Sequence, residues 1–261
     1  MVGFAFSPNL KANVYEALRM AHYFDGELIF VHVGRKTPEK VAHFTEIIDS
    51  SPVGNRKYKI YWRVGNPVQT LLEASEEFNI DMILLGALKR ENVVKFYLGS
   101  IARKITRKAK CSVLLIINPS VERIPCQHIV VNGFDSPQTV ETIRAAFTVA
   151  KSLGAKKISL VEEISRSKVD VAVDDDLSLR RATLKKEKLR RQEQTRVKDV
   201  VEKLPSSLTH DINWTTQSIF GRRGYSIGHY AKVVRADLLV MNAVDKLSFI
   251  DRLITRDIEH I

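Results

Sequence analysis

Cysteine is nearly absent. Cys111 and Cys126 are the only two in 261 residues, too few for a disulfide framework or a four-thiolate zinc site, and such sparing use fits a reducing compartment. No run of about 18 apolar residues occurs, which excludes a transmembrane helix. The opening Met1-Val2-Gly3-Phe4-Ala5-Phe6-Ser7-Pro8 has neither the basic start nor the apolar stretch of a signal peptide. A cytoplasmic location is therefore expected. The seven histidines show no HxxxH or HxH spacing, so no metal centre is read. No G-x-S-x-G occurs, and Cys111 has no evident histidine partner. No catalytic residues are assigned, and the chain is read as a non-enzyme.

What the sequence has in excess is positive charge. Lys+Arg is 41 against 30 Asp+Glu, a net charge of +11. Such a balance invites a nucleic-acid or anionic-membrane reading, but its distribution is uneven. Residues 1–125 carry +6, residues 126–175 carry −1, residues 176–203 carry +5 and residues 204–261 carry +1. Nearly half of the excess thus sits in one short segment. That segment has no interleaved aromatic residue, so nucleic acid is its least supported partner. A solvated charged face, an acidic partner and an anionic membrane surface remain as readings of 177–203.

The chain also repeats itself. Residues 2–33 match residues 131–162 at a shift of 129, with Ser7-Pro8 on Ser136-Pro137, Ala17 on Ala146 and Ala21 on Ala150. Each copy reads as a strand, a Ser-Pro turn, an amphipathic helix and a second strand, with a proline at the turn that is compatible with the first helical turn. Residues 61–86 match 217–242 at a shift of 156, with Gly65 on Gly221 and Asp81 on Asp237. The runs Met82–Leu85 and Leu238–Met241 lack polar alternation, as expected of strands covered on both faces. The change of shift places about 27 additional residues in copy two, in the basic segment. Asp174 to Asp176 precede that segment, Ser178 is its expected cap, and Pro205 stops it. Strands alternating with helices imply α/β domains with parallel sheets. The seam falls at Pro119–Pro125, giving domains 1–120 and 126–261, the second with a basic helical insert at about 176–204.

The first copy resembles the universal stress protein family over almost all of residues 2–117. The most specific part is 81–116, where Gly86, two residues, Lys89, nine residues, Gly99 and Ser100 keep the spacing of the family's nucleotide motif. The resemblance implies Rossmann-like domains of the adenine nucleotide alpha hydrolase-like type, paired as a pseudo-dimer within the chain or as a homodimer. It also implies a binding or regulatory role in stress response, with ATP or another adenine nucleotide held by Ser7, Gly86, Lys89, Gly99 and Ser100. The physical logic is independent of the name. A glycine at a strand end lets a ligand approach the backbone, and a helix N-terminus favours phosphate. A plainer role fits the same residues, with Gly86 a turn glycine and Ser100 an N-cap.

Two positions depart from the family pattern: Ala5 stands where an aspartate usually helps hold the nucleoside, and Lys89 replaces the motif's middle glycine. Copy two has Phe134 and Asn242 at corresponding positions and no Gly-Ser after Asn242. No family-type nucleotide site is expected there, and its last strand is read as missing. The ending Asp251–Ile261 resembles modules on the cytosolic ends of bacterial ion transporters, which would make the chain a membrane-tethered regulatory tail. The alternative to nucleotide binding is therefore an interaction or scaffold module. A weak ATPase ranks last, since no general base or metal-binding carboxylate is visible near the motif.

Overall fold

The structure, a computed structural model, describes residues 1–53, 57–87, 99–165, 168, 174–221 and 225–242. Lys89, the segment 243–253 and the ending Asp251–Ile261, with the copy-two helix expected there, lie outside the described residues. The chain forms two compact units, Met1–Ile124 and Pro125–Ile261.

The first unit runs β1 (Val2–Phe4), α1 (Leu10–Tyr23), β2 (Leu28–Val33), α2 (Pro38–Asp49), β3 (Tyr58–Arg63), α3 (Pro67–Glu77), β4 (Met82–Gly86), α4 (Ser100–Lys108) and β5 (Ser112–Ile116). All strands are parallel, in the order β3-β2-β1-β4-β5. The sheet is apolar on both faces because helices cover both. Phe30 and Leu84 pack with α1 and α2, around Val14, Leu18, Phe44 and Ile47. Their chain neighbours Val31, Ile83 and Leu85 turn the other way, onto Leu71, Ala74, Ala102 and Ile105 of α3 and α4. This alternation explains the unbroken apolar run in β4. Gly3 is required at the centre of the sheet, where a Cβ would lie 2.8 Å from a Leu85 methyl and 3.0 Å from one of Leu71.

The second unit runs β6 (His128–Asn132), α5 (Thr139–Leu153), β7 (Lys157–Ser165), α6 (Asp176–Glu202), α7 (Ser206–Thr209), β8 (Asn213–Gly221), α8 (Tyr225–Val233) and β9 (Leu238–Val240). Its strand order, β8-β7-β6-β9, repeats the first four positions of the other sheet. The repeat read from the sequence is carried by the helices. Val14 and Ile143, Ala17 and Ala146, and Leu18 and Phe147 are each fully or almost fully buried at the shift of 129. Replacing a buried phenylalanine such as Phe147 by alanine removes about 3–5 kcal/mol. A fifth strand is not found among the described residues of this unit.

Three expectations are corrected. Pro8 and Pro137 do not enter the helices. Each is the second residue of a tight turn, closed by Leu10 N–H to Ser7 C=O at 2.9 Å and by Thr139 N–H to Ser136 C=O at 3.1 Å. Asn9 (φ −91°, ψ 9°) and Gln138 (φ −85°, ψ −6°) have the third-residue geometry of a type I turn, which favours proline just before them. The cap of α6 is Asp175, not Ser178: its carboxylate accepts the Ser178 N–H at 2.7 Å, and the Ser178 hydroxyl accepts the Asp175 N–H at 3.0 Å. The basic segment is not an insertion beside the repeat but the counterpart of α2, the crossover from the second strand to the third. It has 27 residues where α2 has 12. The strands it joins, β7 and β8, have lengthened to 9 residues each from 6 in β2 and β3. Val197, Val201 and Leu204 take the core role that Phe44, Ile47 and Ile48 have in α2. Among the described residues no helix is long and apolar enough to cross a membrane.

Candidate functional site

In the first sheet the chain reverses its winding between β1 and β4, so a crevice opens beyond the carboxyl ends of these strands. Gly86 is the last residue of β4 and is exposed there. Asn13 of α1 lies against it. A Cβ on Gly86 would stand 2.6 Å from Asn13 Nδ2 and 2.8 Å from Oδ1, so only glycine leaves this contact open. Asn13 Oδ1 is buried and, among the described residues, has no hydrogen-bond partner. An unmade bond to a buried acceptor costs about 1–3 kcal/mol, which marks this atom as one that a donor from a ligand or a water would satisfy. Asn13 was not among the residues singled out from the sequence.

The N-terminus of α4 reaches the same edge, because α4 follows β4 and returns antiparallel to it before β5. Its N-cap is Gly99 (φ −54°, ψ 148°), which offers no capping side chain. The Gly99 carbonyl already accepts the Arg103 N–H at 3.0 Å, while the first N–H groups of the helix have no partner within it. Arg107 and Lys108 in the last turn complement the negative end of the helix dipole. Ser100 is thus the first helical residue rather than the cap. Ser7 sits in the β1–α1 turn, its N–H bonded to the Ala5 carbonyl at 2.9 Å. Ser7, Gly86, Gly99 and Ser100 all belong to this edge; Lys89 lies outside the described residues.

On the β2–β3 side of the edge the surface is aromatic. Phe6 stacks on Trp62 (6.1 Å, 19°) and meets His32 edge-on (5.1 Å, 85°), and Phe4 adjoins all three. Lys40 Nζ lies 5.5 Å from the Phe6 ring centre. His32 is buried and donates from Nδ1 to the Phe4 carbonyl at 3.1 Å, which ties β2 to β1 and suits a structural role. Ala5 is exposed and offers no carboxylate. Among the described residues this edge thus combines a glycine strand end, a helix N-terminus without a capping side chain, and Ala5 at the end of β1.

The corresponding edge of the second sheet is occupied by its own side chains. Asn242, opposite in the repeat to Gly86, donates to Ser136 Oγ at 2.6 Å. Arg196 of α6 donates to the Gly133 carbonyl, pairs with Glu193 at 3.0 Å and lies 3.9 Å from Asp135. Beneath it Glu162 is 2% exposed. One of its oxygens has no partner and the other is 3.5 Å from Ser218 Oγ. Burial pushes the Glu162 carboxyl up to about 8, and Glu193 adds to this while Arg196 opposes it. Neighbouring Glu163 instead accepts the Ile227 N–H at 2.7 Å, at the start of α8.

Neither cysteine is poised as a nucleophile. Burial raises the Cys111 thiol, and burial with Asp237 nearby raises Cys126 to about 11. Among the described residues no group of three or more His, Cys, Asp or Glu is placed to hold a metal ion.

The first unit, and the second as far as its described strands run, are doubly wound parallel α/β units, with a glycine-edged crevice at the switch point of the first. Residues 49–116 match the model of the universal stress protein family. Solved structures with the same fold include a universal stress protein from Archaeoglobus fulgidus DSM 4304, 16% identical, covering 100% of this chain and 90% of its own (TM-score 0.65). A functionally unknown protein, PA1789 from Pseudomonas aeruginosa PAO1, is 12% identical and covers 95% of this chain and 82% of its own (TM-score 0.62). A putative universal stress protein from Pseudomonas aeruginosa UCBPP-PA14 is likewise 12% identical over 95% and 82% (TM-score 0.60). No curated protein matches the sequence. The resemblance read from residues 81–116 is thus matched by the family model over 49–116, and the solved structures share the fold over the chain.

Proposed function

We propose that the protein is a non-catalytic binding and regulatory module of the universal stress type, with one adenine-nucleotide site at the carboxyl edge of the first sheet. The observation that carries this is the unpartnered Asn13 Oδ1 beside Gly86, at the strand edge that the N-terminus of α4 also reaches. In this reading Gly86 leaves room for the ligand, the Asn13 amide takes a hydroxyl or amino hydrogen, and Gly99, Ser100 and the free N–H groups of α4 hold phosphate. Ser7 lines the β1 side. Lys89, between β4 and α4 in the sequence, adds a cation. In the second unit Arg196, Glu162 and Asn242 fill the equivalent space, so a single site per chain is expected.

Ala5 favours a second reading, in which the first unit has kept the fold, lost the ligand, and acts only through its surfaces. Calorimetry separates the two. Titration of the full chain with ATP, AMP and cyclic AMP should give one site with Kd below about 1 mM, or roughly 4 kcal/mol. Gly86→Val should abolish it, because the new side chain meets Asn13. No heat at millimolar ligand, or binding indifferent to Gly86→Val, overturns the nucleotide reading.

A further inference from the structure

The proposed nucleotide site makes no use of the basic half of α6. This helix is about 40 Å long at 1.5 Å per residue, more than twice the length of its counterpart α2. It divides sharply into two halves. Residues 192–203 carry three basic and three acidic residues, and Val197 and Val201 are buried there. Residues 176–191 carry seven basic and two acidic residues. The whole +5 of the helix therefore sits in the half that the core does not need.

At 100° per residue, one side of this half holds buried Ala182, half-buried Leu189, and Arg190, whose guanidinium lies 5.8 Å from the Phe220 ring centre. The opposite side holds Leu177, Arg180, Arg181, Leu184, Lys188 and Arg191, all exposed. Leu177 is 56% and Leu184 64% exposed, far more than folding requires of leucines. They lie seven residues apart, two turns along the same stripe, with cations between and beside them. Of the acids nearby, Asp174 to Asp176 are confined to the helix start beside Leu177, and Glu187 is already paired with Arg190 and Arg191 at 3.6 and 3.7 Å.

We infer that this outward stripe of α6 docks on an anionic phospholipid surface. A hollow lined by Arg191, Arg196 and Asp199 lies farther along the helix, but between its two leucines and their flanking cations the stripe itself is a bare convex helix surface. It does match a plane of phosphates over an apolar layer: leucine side chains enter the acyl boundary while the long basic side chains reach up to phosphate. Such a surface imposes no register, which suits a charged stripe without amide or aromatic side chains. Each cation near an anionic leaflet contributes about fivefold to partitioning, and each inserted leucine about tenfold or more.

The test is co-sedimentation of the full chain with vesicles of phosphatidylcholine and phosphatidylglycerol at 3:1, and with phosphatidylcholine alone. Wild type should bind the first and not the second. Arg180→Gln with Arg181→Gln should weaken binding about 30-fold, and Leu177→Ser with Leu184→Ser by about 100-fold or more. Since all four side chains are exposed, thermal unfolding should be unchanged in both variants. Equal binding to neutral vesicles, or binding indifferent to the leucines, overturns the proposal. So does failure to bind vesicles with retention on polyglutamate or duplex DNA, which would make the stripe a general polyanion contact.

Discussion

Glu162 offers a quantitative test of how the second unit is assembled. Its carboxyl is 2% exposed, one oxygen lacks a partner, and its pKa is raised from 4.5 to about 8, first by burial. An acid whose folded pKa exceeds its unfolded value loses stability as pH rises between the two, because the unfolded chain releases a proton that the folded state retains. Each pH unit in that window costs about 1.4 kcal/mol. The penalty is nearly absent at pH 4.5, on the order of 3 kcal/mol at pH 7, and levels off above pH 8. Glu162→Gln preserves shape and removes the charge, so it should stabilise the unit by about 3 kcal/mol at pH 7, about 4 kcal/mol at pH 8 and under about 1 kcal/mol at pH 5. At roughly 3 °C per kcal/mol, the midpoint at pH 8 should rise by about 10 °C. Trp62 and Trp214 lie in different units, so Trp214 fluorescence in a Trp62→Phe background follows the second unit alone. A wild-type stability flat from pH 5 to 8, with no gain from Glu162→Gln, would refute the reasoning. It would mean that Arg196 compensates the carboxylate in full.

Two further predictions concern local structure. Arg19 is buried and binds the linker, donating from Nη1 to the Val121 carbonyl at 3.1 Å, from Nη2 to the Ser120 carbonyl, and from Nε to Glu16 at 3.3 Å. Arg19→Ala should destabilise the first unit by about 3 kcal/mol in urea unfolding and speed proteolysis near residues 118–125. Arg19→Lys should recover only part, since a compact ammonium cannot span the acceptors that the planar guanidinium meets at three separate nitrogens. Asp175→Ala removes the capping box of α6 and should accelerate amide exchange at Ser178 and Leu179 while leaving β7 and β8 unchanged.

Much of the fold was legible because it rests on local periodicity. The helices α1 and α5 announce themselves through matching buried positions, and β4 through an unbroken apolar run that only a sheet covered on both faces accommodates. The role of α6 was obscured by its charge. Its basic exposed half dominates the composition, while the few residues that anchor it, Val197, Val201 and Leu204, are spread too thinly to mark it as a crossover helix. The candidate site was half legible. Gly86, Gly99 and Ser100 stand at a fixed spacing in sequence, at the end of β4 and the start of α4. Asn13 gave no signal, because its significance depends on a glycine that is remote in sequence and brought beside it only when β4 inserts next to β1. The same holds for Arg196 and Glu162, which meet only because α6 is packed across β7.

The central claim, one nucleotide site at the carboxyl edge of the first sheet, is tested most directly by amide NMR of the isotopically labelled full chain during titration with ATP. The account predicts saturable shifts at Ser7, Asn13, Gly86 and the Ser100 to Ala102 amides, with no shifts around Ser136, Arg196 and Asn242 of the second unit. Shifts confined to the second unit, or none at either edge at millimolar ATP, would contradict it.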